Sequence, residues 1–134
     1  EAVAQNAATL EVTVLDVMQR GKHLAVVDSS TEAHMLDLLI YRLSPRLAAP
    51  GPGRHRCVIA GRSCLAGDVF GEFRLARRLR PGDLVRIADA AGYTMVKKNW
   101  FNGLPMPAIC VRRLDGRLAR VRTFGYNDYL ASLG

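Results

Sequence analysis

Short runs with a two-residue period, each cut off by a turn signal, constrain this chain more than any other feature. LEVTVLDV, residues 10–17, alternates Leu10, Val12 and Val14 with Glu11 and Thr13, the pattern of a strand that buries one face. HLAVVD (23–28), RCVIAG (56–61) and DLVRIAD (83–89) are further β-rich runs. Arg20-Gly21-Lys22 suits a hairpin connection, Pro81-Gly82-Asp83 a turn into a strand, and Asp115-Gly116 a hairpin between AICVRRL and RLARVR. Helical spacing is confined to TEAHMLDLLIY (31–41) and to NDYLASLG, a short terminal helix expected from Asn127. APGPGR (49–54) can continue neither element and reads as a loop. Short strands at this spacing predict an all-β sandwich or barrel with minor helix, and 134 residues suffice for one domain over 1–134.

Composition narrows the classes of function. No apolar run is long enough to span a bilayer, which leads to an expectation of no membrane partner. Three cysteines form no even set and no C-x-x-C pair, and three scattered histidines have no H-x-x-x-H spacing, so neither a disulfide framework nor a metal site is expected. A reducing cytoplasm suits such a chain. Nineteen basic residues against twelve acidic give a net charge of +7, which admits a basic β-barrel binding nucleic acid or another polyanion, or simply solvated arginines on strand faces. The opening Glu-Ala-Val-Ala has neither an initiator methionine nor a leader pattern. The expectation is a piece of a longer protein.

Three segments carry polar chemistry. GRSCLAGDVFGE (61–72) reads as a glycine-rich loop leaving a strand end, but it matches neither a P-loop nor a nucleophile elbow. Cys57 and Cys110 lie in apolar runs and read as small buried hydrophobes, whereas Cys64 has polar neighbours. Asp68 and Glu72 either attract a cation or are solvated. In AGYTMVKKNWFNG (91–103), Tyr93 is expected to end a short strand, and Lys97 and Lys98 read as surface charge. Trp100 and Phe101 sit beside an Asn102-Gly103 turn, as an interface or an aromatic mini-core. In DSSTEAHMLD (28–37), Ser29 or Ser30 can cap the following turn, and His34 and Asp37 fall three apart on one helical face.

Taken together, EAVA, VVDSSTEAHMLD, CLAGDVFGE, GDLVRIADAAGYTMVKKNWFNGLPMPAI and YNDYLASL closely resemble the C-terminal domain of the carboxynorspermidine/carboxyspermidine decarboxylases. These belong to the alanine racemase and ornithine/diaminopimelate decarboxylase superfamily, which uses pyridoxal 5'-phosphate. The resemblance implies a C-terminal β-barrel or sandwich domain whose N-terminal β/α barrel, with the Schiff-base lysine, is not in this chain. Neither Lys97 nor Lys98 is then that lysine. It implies a homodimer with a site shared across the twofold axis, polyamine biosynthesis, and loss of CO2 from a cationic amine, so that an isolated domain is inactive. Residue by residue, it makes Cys64 the group that reprotonates the product carbon and Tyr93 a contact to the cofactor phosphate. Phe101 and Asn102 line the cross-subunit site. Asp68, Glu72, Glu1, Asp37 and His34 fall on the substrate side, Glu1 and Asp37 as anchors for ammonium groups. Leu36 departs from the proline of the usual His-Met-Pro-Asp pattern. One methylene separates the two substrates, too small a difference to read from these residues.

Overall fold

The computed structural model describes residues 5–48 and 53–134. Five strands form one half-barrel sheet in the order β4-β3-β2-β1-β5, and two later strands pair separately. The first two are β1 (Thr9–Arg20) and β2 (Lys22–Val27), joined through Gly21, whose φ of 71° suits glycine. Next come β3 (His55–Ala60), β4 (Val69–Leu75) and β5 (Leu84–Ala88). All neighbours are antiparallel except β2 and β3, which run parallel. A parallel pair needs a long crossover, and residues 28–54 supply it.

Alternation fixes which face is buried. Leu10, Val12 and Val14 of β1 point the same way as Ala25 and Val27 of β2, Cys57 and Ile59 of β3, Phe70 of β4, and Val85 and Ile87 of β5, forming one core. Each Val, Leu, Ile or Phe side chain among them contributes about 1.5–3 kcal/mol when fully buried. A bulge between Val14 and Asp16 ends this regularity. Beyond it, β1 and β2 continue as a more exposed ribbon.

The segment expected to form one helix over 31–41 forms two, α1 (Thr31–His34) and α2 (Leu36–Ile40). Ser30 caps α1, its hydroxyl accepting from the amides of Glu32 and Ala33. Met35 then leaves helical geometry at φ −142°, ψ 50°, and its side chain joins Leu38 in the core. That break lets both helices lie on the core side of the sheet, and it places His34 and Asp37 on different helices rather than on one face.

Three further expectations change. The glycine-rich loop ends at Asp68, because Val69–Leu75 is strand and Phe70 takes a core position. Tyr93 does not end a strand but begins α3 (Tyr93–Lys97). The strands β6 (Ile109–Arg112) and β7 (Leu118–Arg122) form the expected hairpin around Asp115-Gly116, and α4 (Tyr126–Ala131) starts one residue before Asn127. Cys110, expected to be buried on β6, is exposed because this hairpin contributes nothing to the main core.

Candidate functional site

Strand ends, a loop and two turns converge on one side of the domain. The loop 61–68 leaves β3 and returns to β4, closed at its base by the Gly61 amide donating to the Asp68 carbonyl at 2.8 Å. Arg62 donates its amide to the Ser29 carbonyl at 3.0 Å, which ties the loop to the segment entering α1. Asp68 completes the fastening. One carboxylate oxygen accepts from the Thr31 amide and hydroxyl, both at 2.8 Å, and the other accepts from the amide and hydroxyl of Ser63. Burial by itself would raise the Asp68 pKa, but the hydrogen bonds from Ser63 and Thr31 outweigh it and hold the carboxyl below its ordinary value. Asp68 is only 5% exposed, so its charge is absorbed inside the domain rather than displayed to a ligand.

His34 is buried beside this fastening and shares a 2.8 Å hydrogen bond between its Nδ1 and the Ser29 hydroxyl. Among the described residues its Nε2 has no partner. Burial lowers its pKa to about 4, against the pull of Asp28 and Asp68, so the ring is neutral at physiological pH.

At the tip of the loop, Cys64 is exposed, and its amide donates to Asn102 Oδ1 at 2.9 Å. Asn102 lies in the tight turn Phe101–Gly103 with a left-handed φ of 58°, a conformation asparagine tolerates. The turn is itself fixed to α1. The Asn99 amide donates to the Ala33 carbonyl and its Nδ2 to the Glu32 carbonyl, while its Oδ1 accepts from the Phe101 amide. The structure therefore brings Cys64, Phe101 and Asn102 together and sets them on the same scaffold as His34. Trp100 turns the other way and makes edge contacts with Phe124 and Tyr129, a small aromatic core under the hairpin.

A second group adjoins. Lys97 of α3 donates to Asp37 Oδ1 of α2 at 2.7 Å, with its ammonium 4.8 Å from the Tyr93 ring centroid and 5.2 Å from that of Tyr41. Its side chain is only 28% exposed, so it is not the plain surface charge expected. The Asp37 hydrogen bond raises its pKa above the ordinary lysine value. Asp37 thus meets a cation of its own chain. The same carboxylate and Tyr41 help to line a cleft of about 610 Å³, with Asn6, Ser44, Arg46 and Thr94.

Glu72 belongs to neither group: from β4 it pairs with Lys22 at 2.9 Å and Arg56 at 3.7 Å. Glu1 lies outside the described residues. Sequence reasoning missed Thr31, Ser63, Asn99 and the Lys97 cage. A Ser or Thr near a buried aspartate is a common polar pairing, but partners 37 and 60 residues apart leave no local pattern.

Residues 2–91 match the family model described as the pyridoxal-dependent decarboxylase C-terminal sheet domain. The chain belongs to this family. It is 55% identical over 133 residues to a carboxynorspermidine/carboxyspermidine decarboxylase of Herminiimonas arsenicoxydans, covering 99% of this chain and 36% of that protein. It is 37% identical to a carboxyaminopropylagmatine decarboxylase of Synechocystis, covering 99% of this chain and 35% of that one. Among solved structures, carboxynorspermidine decarboxylase from Campylobacter jejuni in complex with norspermidine superposes with a TM-score of 0.87 at 32% identity, over 98% of this chain and 40% of that chain. The chain thus spans a little over a third of the length of these relatives.

The family implies pyridoxal phosphate, and the residues present fit one wall of its site. Tyr93 has an exposed phenol suited to a phosphate, and Cys64 offers an exposed thiol. Lys97 is held charged by Asp37, and Lys98 donates to the Met95 carbonyl at 3.1 Å. Among the described residues there is no group of three potential metal ligands, and no helix is long and apolar enough to cross a membrane.

Proposed function

We propose that this chain is the C-terminal domain of a pyridoxal-dependent carboxy-lyase that converts carboxynorspermidine or carboxyspermidine to the corresponding triamine. The observation that carries the reading is the hydrogen bond from Cys64 to Asn102. It unites the CLAGD loop and the FNG turn, two segments distant in sequence, into one exposed rim in a chain 55% identical to such a decarboxylase. A rim of this kind works when it faces a second surface. The cofactor, bound through a lysine of a preceding β/α barrel, supplies the electron sink for loss of CO2.

This chain's residues do the rest. Tyr93 donates its hydroxyl to the cofactor phosphate. Cys64 gives its Sγ proton to the carbon that has lost the carboxylate and regains one from solvent. Phe101 and Asn102 shape the groove and hold the loop tip. Asp68 acts through the loop it fastens, and His34 through the Ser29 segment. Asp37 and Glu1 are the carboxylates that the resemblance assigns to the amine, and Lys97 already neutralises the Asp37 charge. Glu72 is paired on the sheet with Lys22 and Arg56. The site is completed across a twofold axis in a homodimer, and the enzyme acts in polyamine biosynthesis in the cytoplasm.

The test measures CO2 release by the complete protein carrying this domain, with carboxynorspermidine, carboxyspermidine and carboxyaminopropylagmatine as substrates. Turnover of the first two supports the reading. Turnover of the third alone moves the substrate to a guanidino amine, and no turnover of any overturns it.

A further inference from the structure

Lys97 has surroundings that the proposed chemistry does not require of a spectator. A lysine at the end of a one-turn helix ordinarily keeps its ammonium in water. This one is drawn in, bonded to Asp37 at 2.7 Å and set between the rings of Tyr93 and Tyr41. Two of its three partners come from the region around α2, far away in sequence, so the contact joins α3 to α2 as well as bracing Tyr93.

The consequences for an anion beside Tyr93 follow from electrostatics. Without Lys97, the Asp37 carboxylate would stand uncompensated in the same wall and repel a phosphate, and the Tyr93 ring would lose the cation against which it rests. With Lys97 in place the carboxylate is neutralised and the phenol is held by an ammonium on its face. We propose that Lys97 is a positioning residue for cofactor binding, holding Tyr93 in place and cancelling the Asp37 charge so that this wall accepts the phosphate of pyridoxal phosphate. The proposal rests on the decarboxylase reading above, and it gives Asp37 a role as the anchor of Lys97.

Pyridoxal, which lacks the phosphate, separates this role from a general structural one. The complete protein, stripped of cofactor, is titrated with pyridoxal phosphate and with pyridoxal, each followed by absorbance, for wild type, Lys97→Met and Lys97→Gln. Both variants should bind pyridoxal phosphate about tenfold more weakly, the scale of one partly desolvated charge contact, while pyridoxal affinity stays within about twofold. Equal weakening of both ligands, as a misfolded or loosened domain would show, overturns the proposal, and so does unchanged affinity for pyridoxal phosphate. A wild-type protein that binds neither ligand overturns the decarboxylase reading itself.

Discussion

Asp68 and His34 are two buried titratable groups whose hydrogen-bond partners lie inside the domain. Asp68 gathers four donors from Thr31 and Ser63, and hydrogen bonds to a charged acceptor are worth about 1.5–3 kcal/mol each. Asp68→Asn replaces an acceptor-only group by one with two donors and leaves some of those partners unmatched. Amide exchange in residues 29–34 and 61–68 of the complete protein should then accelerate by about tenfold or more, from a loss of about 2 kcal/mol in local stability. Exchange unchanged in both segments would mean that the fastening is slack. For His34 the sign follows from its lowered pKa: the folded state resists protonation, so its contribution is whole above the ordinary pKa near 6.5 and falls as the pH drops towards about 4. The segment around α1 should lose about 2 kcal/mol of opening free energy between pH 7 and pH 5. His34→Gln should abolish that slope, as measured by amide exchange corrected for intrinsic rates.

At the scale of elements, the loop depends on how closely β3 can approach its return strand. A Cβ at Gly61 would collide with the Asp68 carboxylate, which four hydrogen bonds keep from swinging aside. Gly61→Ala should therefore destabilise the loop by about 1–3 kcal/mol and lower turnover through the displaced Cys64, with a matching rise in exchange at residues 61–68. The strands themselves were largely legible: alternation in LEVTVLDV and the glycine turns at Gly21 and Gly82 located β1, β2 and β5. Three features escaped for physical reasons. β4 hid in the glycine-rich loop because Gly71 reads as a turn residue; it sits inside the strand at φ 148°, a backbone that only glycine adopts readily, where the β3–β4 register shifts. Met35 breaks the helix because its side chain is needed in the core, a tertiary demand that overrides helical spacing. The Lys97 cage depends on Asp37, 60 residues earlier, and only the fold brings the two together. The candidate residues Cys64, Phe101 and Asn102 come from the resemblance and lie together, whereas pattern alone leaves each with a purely structural alternative.

On the scale of the whole molecule, the domain presents surfaces rather than a finished site. Leu114, Leu118 and Val121 of the hairpin and Leu130 and Leu133 near the C-terminal end are exposed. Cys64 stands on an exposed rim, its amide held by Asn102. In the proposed function this rim completes the site of a neighbouring subunit. The most direct measurement co-expresses, in the complete protein, two inactive variants: one carrying Cys64→Ala and one lacking the barrel lysine. If the site is shared across a twofold dimer, random pairing makes half the dimers hybrid, each with one intact site, and CO2 release should recover to about a quarter of wild type. Recovery no greater than the mean of the two separate variants would show that Cys64 serves the site of its own subunit, contradicting the account.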